Sequence, residues 1–394
     1  MQFLSGYILY IFLGIVGCYS LMRTKKLQTT SLRSGFLFDN YFYLAWLFLW
    51  ICFVAGRVVE HHIGGEDAPN YVYFFENCLV NQNAVFSGGE LWEKHMGIVY
   101  TTINKAIRLF TDNYHVFFIF IYGFIAFTYI QFLNEFSSKD ICFIPIILCF
   151  FPMLLGFNTL RTTFSAAMIL WALVLLYRKH TILSAILFIM SCSVHLASVV
   201  YALFFIYYQI FKNKKLSLNL VLIIAIVAYG IGKIGQNILY NSNLGFLSVT
   251  YKWYIGASYN TNIFQWQPVV VAPQVLLFIC IFIFKKNIFA QMNDKSIQGS
   301  ALKFIWYMCA FDLIVLPVCY IANIWRGYEY FYLARLIMWG KILQIIKSKM
   351  PRYFWYLFGY CFVFVFIAWF VFRINGNYKD ASLLPYYFAP AQIY

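Results

Sequence analysis

The architecture of this chain turns on residues 159–215, TLRTTFSAAMILWALVLLYRKHTILSAILFIMSCSVHLASVVYALFFIYYQIFKNKK. Three apolar runs, 162–178, 181–194 and 197–211, are divided by Arg178-Lys179 and by Ser193-Val194-His195, and Lys212, Lys214 and Lys215 close the third. A helix that crosses a bilayer needs about 20 apolar residues. The first run meets that length, whereas 181–211 is short for two full crossings. Both flanks of 181–211 are basic, and clustered Lys and Arg mark the cytoplasmic side of a membrane protein. The reading that satisfies both facts is a pair of short or re-entrant helices with its apex near His195. One long tilted helix is the alternative, and it would invert everything downstream.

The same test extends in both directions. Apolar runs lie at 3–22, 40–57, 114–134, 141–157, 217–234, 268–284, 301–322, 328–346 and 353–372, which with the three above predicts about twelve transmembrane helices. Residues 1–22 lack a basic leader and a small-residue cleavage motif, so they read as the first span rather than as a signal peptide. Basic clusters follow the first span (Arg23, Lys25, Lys26, Arg33), the third (Lys139), the fifth, the seventh, the ninth (Lys285, Lys286) and the eleventh (Lys347, Lys349, Arg352). Every cluster thus falls on one face, which the positive-inside rule makes cytoplasmic. Both termini are then expected outside.

Composition agrees. Of 394 residues, 63% are hydrophobic and 11% charged, against about 25% charged in soluble domains. This implies an all-α polytopic membrane protein, one integral domain over 1–394, with the lipid bilayer as its surroundings. The formal net charge of +15 would point to nucleic acid in a soluble protein. Here topology accounts for the cations, and no nucleic-acid partner is expected. The 22% aromatic content suits interfacial belts, and secondarily sugar-stacking surfaces. Ten cysteines are present, with no spacing that indicates disulfides or zinc. GxxxxGK[ST], GxGxxG and GxSxG elements are absent, which excludes an ATP motor and an ordinary serine hydrolase. A substrate carrying its own energy fits, with no cofactor.

Three segments face outward in this scheme: 58–113, 235–267 and the tail 373–394. The first is acidic at Glu60, Glu66, Asp67, Glu76, Glu90 and Glu93. Its end, 96–110, sets Ile98, Ile103, Ala106, Ile107 and Phe110 against Asn104, Lys105 and Arg108, the pattern of an interfacial amphipathic helix. The second is rich in Asn, Tyr and Trp.

Once the topological cations are set aside, Arg161, Arg326 and Arg335 remain, in or beside spans on the outward side. Charges at membrane depth are costly and must face a cavity or a partner. Arg161 follows the helix-breaking Gly156-Phe157-Asn158-Thr159 and points from a helix N-terminus, where an anion is favoured. Guanidinium groups grip phosphate with paired hydrogen bonds, so these arginines read as a diphosphate clamp. The competing reading pairs each with an internal carboxylate such as Asp312 or Glu329. His195 could accept a hydroxyl proton, or be an ordinary interior histidine. Asp67 or Glu66 could serve as base or orient a sugar. Adjacent His61 and His62 lack the spacing of a zinc pair, so no metal is expected.

These residues resemble the motifs of the EpsG-like Wzy polymerases. Gly65, Asp67, Tyr71 and Phe75 fit a G-x-D-x-x-x-Y-x-x-x-F element, and Glu93 precedes the amphipathic stretch. Asn158, Arg161, Thr162, Ser165, Ala166 and Ala167 fit an N-x-x-R-[QT] break and its small-residue helix. Val194, His195 and Ser198 fit F/V-H-x-[ST]-[AS]; Arg326, Tyr330 and Phe331 fit R-x-x-x-Y-F; Pro385-Tyr386 fits the tail. The match covers about residues 40–390. It departs where Thr162 replaces a common Gln and where Arg57 stands further from the Gly-x-Asp element than usual. The resemblance implies a GT-C-like, metal-independent glycosyltransferase in a bacterial inner membrane, with its site facing the periplasm. It would elongate an O-antigen, capsule or exopolysaccharide on undecaprenyl diphosphate. Arg161, Arg326 and Arg335 would bind diphosphate; His195 and Asp67 would be catalytic; Tyr71, Tyr330 and Glu66 would meet sugar. A chain-length regulator and a flippase are implied partners. A flippase, a membrane O-acyltransferase and an O-antigen ligase are the alternative functions.

Overall fold

The computed structural model describes residues 41–59, 67–79, 96–136, 159–195, 197–214, 216–241, 268–294, 296–321 and 330–349, together with the isolated positions 12, 16, 351, 353 and 354. These form α1 (Tyr41–Ala55), α2 (Ala68–Asn77), α3 (Ile98–Arg108), α4 (Tyr114–Phe136), α5 (Leu160–Tyr177), α6 (Thr181–Val194), α7 (Ser198–Ala202), α8 (Phe204–Phe211), α9 (Leu218–Asn241), α10 (Pro268–Ile283), α11 (Lys285–Met292), α12 (Ile297–Ile321) and α13 (Tyr332–Lys349). No β-strand occurs among the described residues.

Helix α5 is the centre. Ala166, Ala167 and Ala172 let neighbours approach closely, and almost every side chain along it is buried. It ends because Lys179 turns left-handed at φ 67°. There His180 N–H donates to Leu175 O and Lys179 N–H to Leu176 O, which satisfies the last carbonyls and reverses the chain. Helix α6 therefore returns antiparallel to α5. Ser184 Oγ donates to Ala172 O (2.8 Å) near one end of the pair, and Ser191 Oγ to Ser165 O (3.1 Å) near the other.

At His195 the chain reverses again. Phe188 on α6 and Phe205 on α8 bring their rings to 5.9 Å. One continuous helix rising about 1.5 Å per residue would hold them far apart. The expected short pair is thus the observed arrangement, and the single tilted helix is not. Around this core, α4 packs on α5 through Phe124–Phe164 and Phe127–Trp171, and α1 on α4 through Trp50–Tyr122.

Among the described residues, three stretches, Tyr114–Leu133, Leu160–Tyr177 and Ile297–Leu316, are long and apolar enough to cross a membrane. Helices α10 and α11 meet at 82°, as a broken span or a re-entrant loop. The outer faces carry exposed Ile182, Ile186 and Ile189 on α6, and Ile223, Ile226, Ile231 and Ile234 on α9. Apolar ridges of that extent are unfavourable in water and ordinary in lipid. The chain is a helical membrane protein. The expected spans 3–22, 141–157 and 353–372 fall outside the described residues, apart from isolated positions.

The basic turns meet at one end. Arg178 pairs with Glu135 (2.6 Å), and Tyr307 donates to the carbonyls of Lys212 and Lys214. Trp306 donates to Leu216 O and packs on Phe289 of α11, whose neighbour Asn287 takes a hydrogen bond from Lys349.

The expected helix at 96–110 appears as α3, oriented by its polar residues. Tyr100, Thr101 and Asn104 turn inward, while Ile98 (77% exposed) and Phe110 (90%) turn out. The expected apolar face is divided: Ile98, Ala106 and Phe110 are exposed, whereas Ile103 and Ile107, with Val99, pack against the core beside the buried Asn104.

Candidate functional site

The opposite end of the α5–α6 hairpin gathers the polar residues. Thr159 begins α5, and its hydroxyl faces Thr163 (3.3 Å). Arg161 and Thr162 occupy the first turn, Thr162 fully buried and Arg161 partly so. Across from them α6 stops at His195, which is extended (φ −149°, ψ 121°). Ser198 fixes this turn, since its hydroxyl (2.7 Å) and its N–H both donate to His195 O.

Two hydroxyls approach the half-buried imidazole. Its Nε2 is 3.4 Å from the Thr162 hydroxyl and its Nδ1 is 3.1 Å from the Tyr330 hydroxyl. Tyr330 also lies 3.3 Å from Ser165 Oγ. Its ring is fully buried and stacks on Tyr201 at 4.7 Å and 11°. The expected sugar contact by Tyr330 therefore gives way to a place behind the histidine. Tyr71 is buried as well, edge-on to Tyr100, so it offers no free face for stacking either. Both corrections have one cause: an aromatic residue in a polar motif gives no sign of whether the fold covers it.

The arginines divide. Arg335 is buried and pairs with Asp312 at 2.5 Å, and Asp312 also accepts from Tyr201. This is the internal carboxylate pairing, not a diphosphate grip, and Arg335 leaves the clamp. Arg57, too, is buried: it donates to Val54 O and to the Tyr122 hydroxyl, and lies over the Phe118 ring. Arg161 stands on the first turn of α5, and the Tyr100 phenol feels its positive charge. Burial, then Tyr71, push the Tyr100 phenol well above its ordinary pKa against the pull of Arg161, so it stays a neutral hydroxyl. Arg326 and Glu66 lie outside the described residues.

Asp67 takes the N-cap position of α2, and Tyr71 follows one turn later. The segment is fastened to the histidine turn by Gly97, at the head of α3. Its φ is +85°, and a Cβ there would meet Ser193 O at 2.2 Å. Sequence reading missed Gly97, Tyr100 and Tyr201. Only Gly97 carried a signal, as a glycine opening an amphipathic run.

Chemically, the end of the bundle joins a cation at a helix N-terminus to an imidazole with one nitrogen bound from behind. It can attract an anion and move a proton. The model of the EpsG family matches residues 40–388 of the chain. No curated protein and no solved structure matches it.

Proposed function

The chain belongs to the EpsG family, and on that footing we propose that it polymerises a bacterial surface polysaccharide on a polyprenyl-diphosphate carrier. The donor is a growing glycan on undecaprenyl diphosphate, and the acceptor is a hydroxyl of a lipid-linked repeat unit. The acceptor oxygen attacks the donor's anomeric carbon as that carbon's bond to the diphosphate breaks. The diphosphate leaves with the bonding pair, and the acceptor proton passes to a base. Arg161, with Arg326, holds the leaving charge; His195 takes the proton, with Asp67 the second candidate.

One observation carries this reading. Arg161 and His195, far apart in sequence, belong to the same end of the α5–α6 hairpin, His195 lying against the residue after Arg161. The basic turns collect at the other end. With those turns cytoplasmic, the site opens outside, where lipid-linked units are assembled. Twelve crossings, the GT-C-like architecture, one domain over 1–394 with outer loops at 58–113 and 235–267, the inner-membrane location, and a flippase and chain-length regulator as partners belong to the same proposal. The test is deletion of the gene, with the surface glycan resolved on a gel. A ladder that collapses to one repeat unit supports polymerisation. Loss of all glycan points to a flippase and overturns it.

A further inference from the structure

Tyr100 and Asn104 lie one turn apart on α3, and both are fully buried. The Tyr100 ring is stacked on Phe74 (6.2 Å, 21°) and stands edge-on to Tyr71 and Phe117. Its hydroxyl, fixed by that packing, makes no hydrogen bond. Asn104 Nδ2 donates to Tyr100 O (2.8 Å), while Asn104 Oδ1 accepts nothing. The donation settles which amide atom is which, because an oxygen placed there would face the carbonyl, another acceptor. Burying a polar group without a partner is destabilising, and each such group calls for a reason. Two of them one turn apart are not explained by packing.

Their place in the molecule supplies the reason. A Cβ on Gly97, one turn before Tyr100, would strike Ser193 O in the histidine turn. His195 in turn lies against Thr162 on the first turn of α5. The Tyr100 phenol feels the positive charge of Arg161. Asn104 also favours the phenolate, yet no hydrogen bond joins the two side chains. The pair thus belongs to the end of the bundle that carries Arg161 and His195. Trp50, Tyr207 and Gln274 also have buried polar atoms without a hydrogen bond, but singly, on α1, α8 and α10.

We propose that Tyr100 and Asn104 form a sugar subsite on α3, which reads the glycan residue bonded to the diphosphate held by Arg161. This deepens the polymerase reading and rests on it. The atoms decide the class of ligand. A carboxamide oxygen only accepts, and so does an ionised phosphate oxygen, so Asn104 Oδ1 cannot meet the phosphate. It needs a hydrogen, which a sugar hydroxyl or an acetamido N–H provides. The Tyr100 hydroxyl can give one hydrogen and accept another. Tyr71, expected to meet the sugar itself, backs the Tyr100 ring instead. Because both groups are buried, a sugar without the matching substituent leaves them unbonded, and the pair discriminates among repeat units.

The test is native mass spectrometry of the full-length protein in detergent, titrated with two probes. One is undecaprenyl diphosphate without sugar; the other is the lipid-linked material extracted from cells that lack the gene. Tyr100→Phe and Asn104→Leu should each weaken binding of the sugar-bearing lipid by about tenfold or more. Binding of the bare diphosphate should not change. Arg161→Ala should weaken both, and Thr102→Ala, on the exposed face of the same helix, should weaken neither. Thermal midpoints separate binding from folding. Each α3 variant takes an unbonded polar atom out of the interior, so its midpoint should hold or rise while affinity falls. Unchanged affinity for the sugar-bearing lipid in Tyr100→Phe and Asn104→Leu overturns the subsite, whatever the midpoints do. An equal loss on both probes also overturns it, since the pair would then serve the diphosphate. If the unaltered protein binds neither probe, the polymerase reading falls and takes the subsite with it.

Discussion

Among the side chains, the two kinds of arginine make opposite predictions. Arg161 is partly buried on the first turn of α5, and on the proposed reading it meets a diphosphate. Arg161→Ala should then abolish long-chain polymer and leave single repeat units on a glycan gel. Arg161→Lys should fail to restore it, because an ammonium supplies charge without the paired fork; full polymer from the lysine variant would count against bidentate recognition. Arg335 and Asp312 instead hold the fold. Asp312→Ala strands a buried guanidinium, which costs about 3–5 kcal/mol, and should show as a lower thermal midpoint in detergent. The double change Arg335→Met with Asp312→Leu should recover most of that loss, because no charge is then left alone. Polymer formation should recover less than stability, since Tyr201 would lose its carboxylate acceptor.

Helices as units were the readable part of this sequence. Runs at 114–134, 162–178 and 181–194 reappear as Tyr114–Phe136, Leu160–Tyr177 and Thr181–Val194, because apolar length and a basic stop are local properties. The reversal at His195 was readable too, from two basic flanks and too little chain between them. The partners of those helices were not. Nothing local to Tyr330 says that Tyr201 covers it, and nothing near Arg335 selects Asp312 from the outward carboxylates. Gly97 lies between these cases. A positive φ at the head of α3 and a carbonyl where a Cβ would go make Gly97→Ala a test of how α3 is joined to the histidine turn. The backbone strain alone is worth about 1–3 kcal/mol, and the clash adds to it. The variant should lose thermal stability and shorten the glycan ladder together, whereas Thr102→Ala, on the exposed face of α3, should change neither. Wild-type behaviour of Gly97→Ala would mean that α3 does not hold the turn.

Taken whole, the molecule is polarised, and that polarity has a direct consequence for topology. Arg178 with Glu135, Lys212 and Lys214 under Tyr307, and Lys349 with Asn287 stand together at one end. Arg161, His195, Tyr330 and Gly97 belong to the other. A bilayer separates two such ends only if α6 and the α7–α8 segment make one excursion and return. Truncated fusions to a reporter active only in the cytoplasm should therefore be active after Lys179, after Lys215 and after Lys286. A fusion after Asn113 should be silent with that reporter and active with one that requires export. The decisive pair is Lys179 and Lys215. If they report opposite sides, 181–211 crosses once, the contact between Phe188 and Phe205 cannot form, and Arg161 and His195 could not share an end. If they report the same side, placing the apex inside would expose the basic turns externally and bury the histidine site against the cytoplasm. The cation distribution opposes that orientation at every turn. Matching cytoplasmic signals at both positions thus carry the outward placement of the site with them.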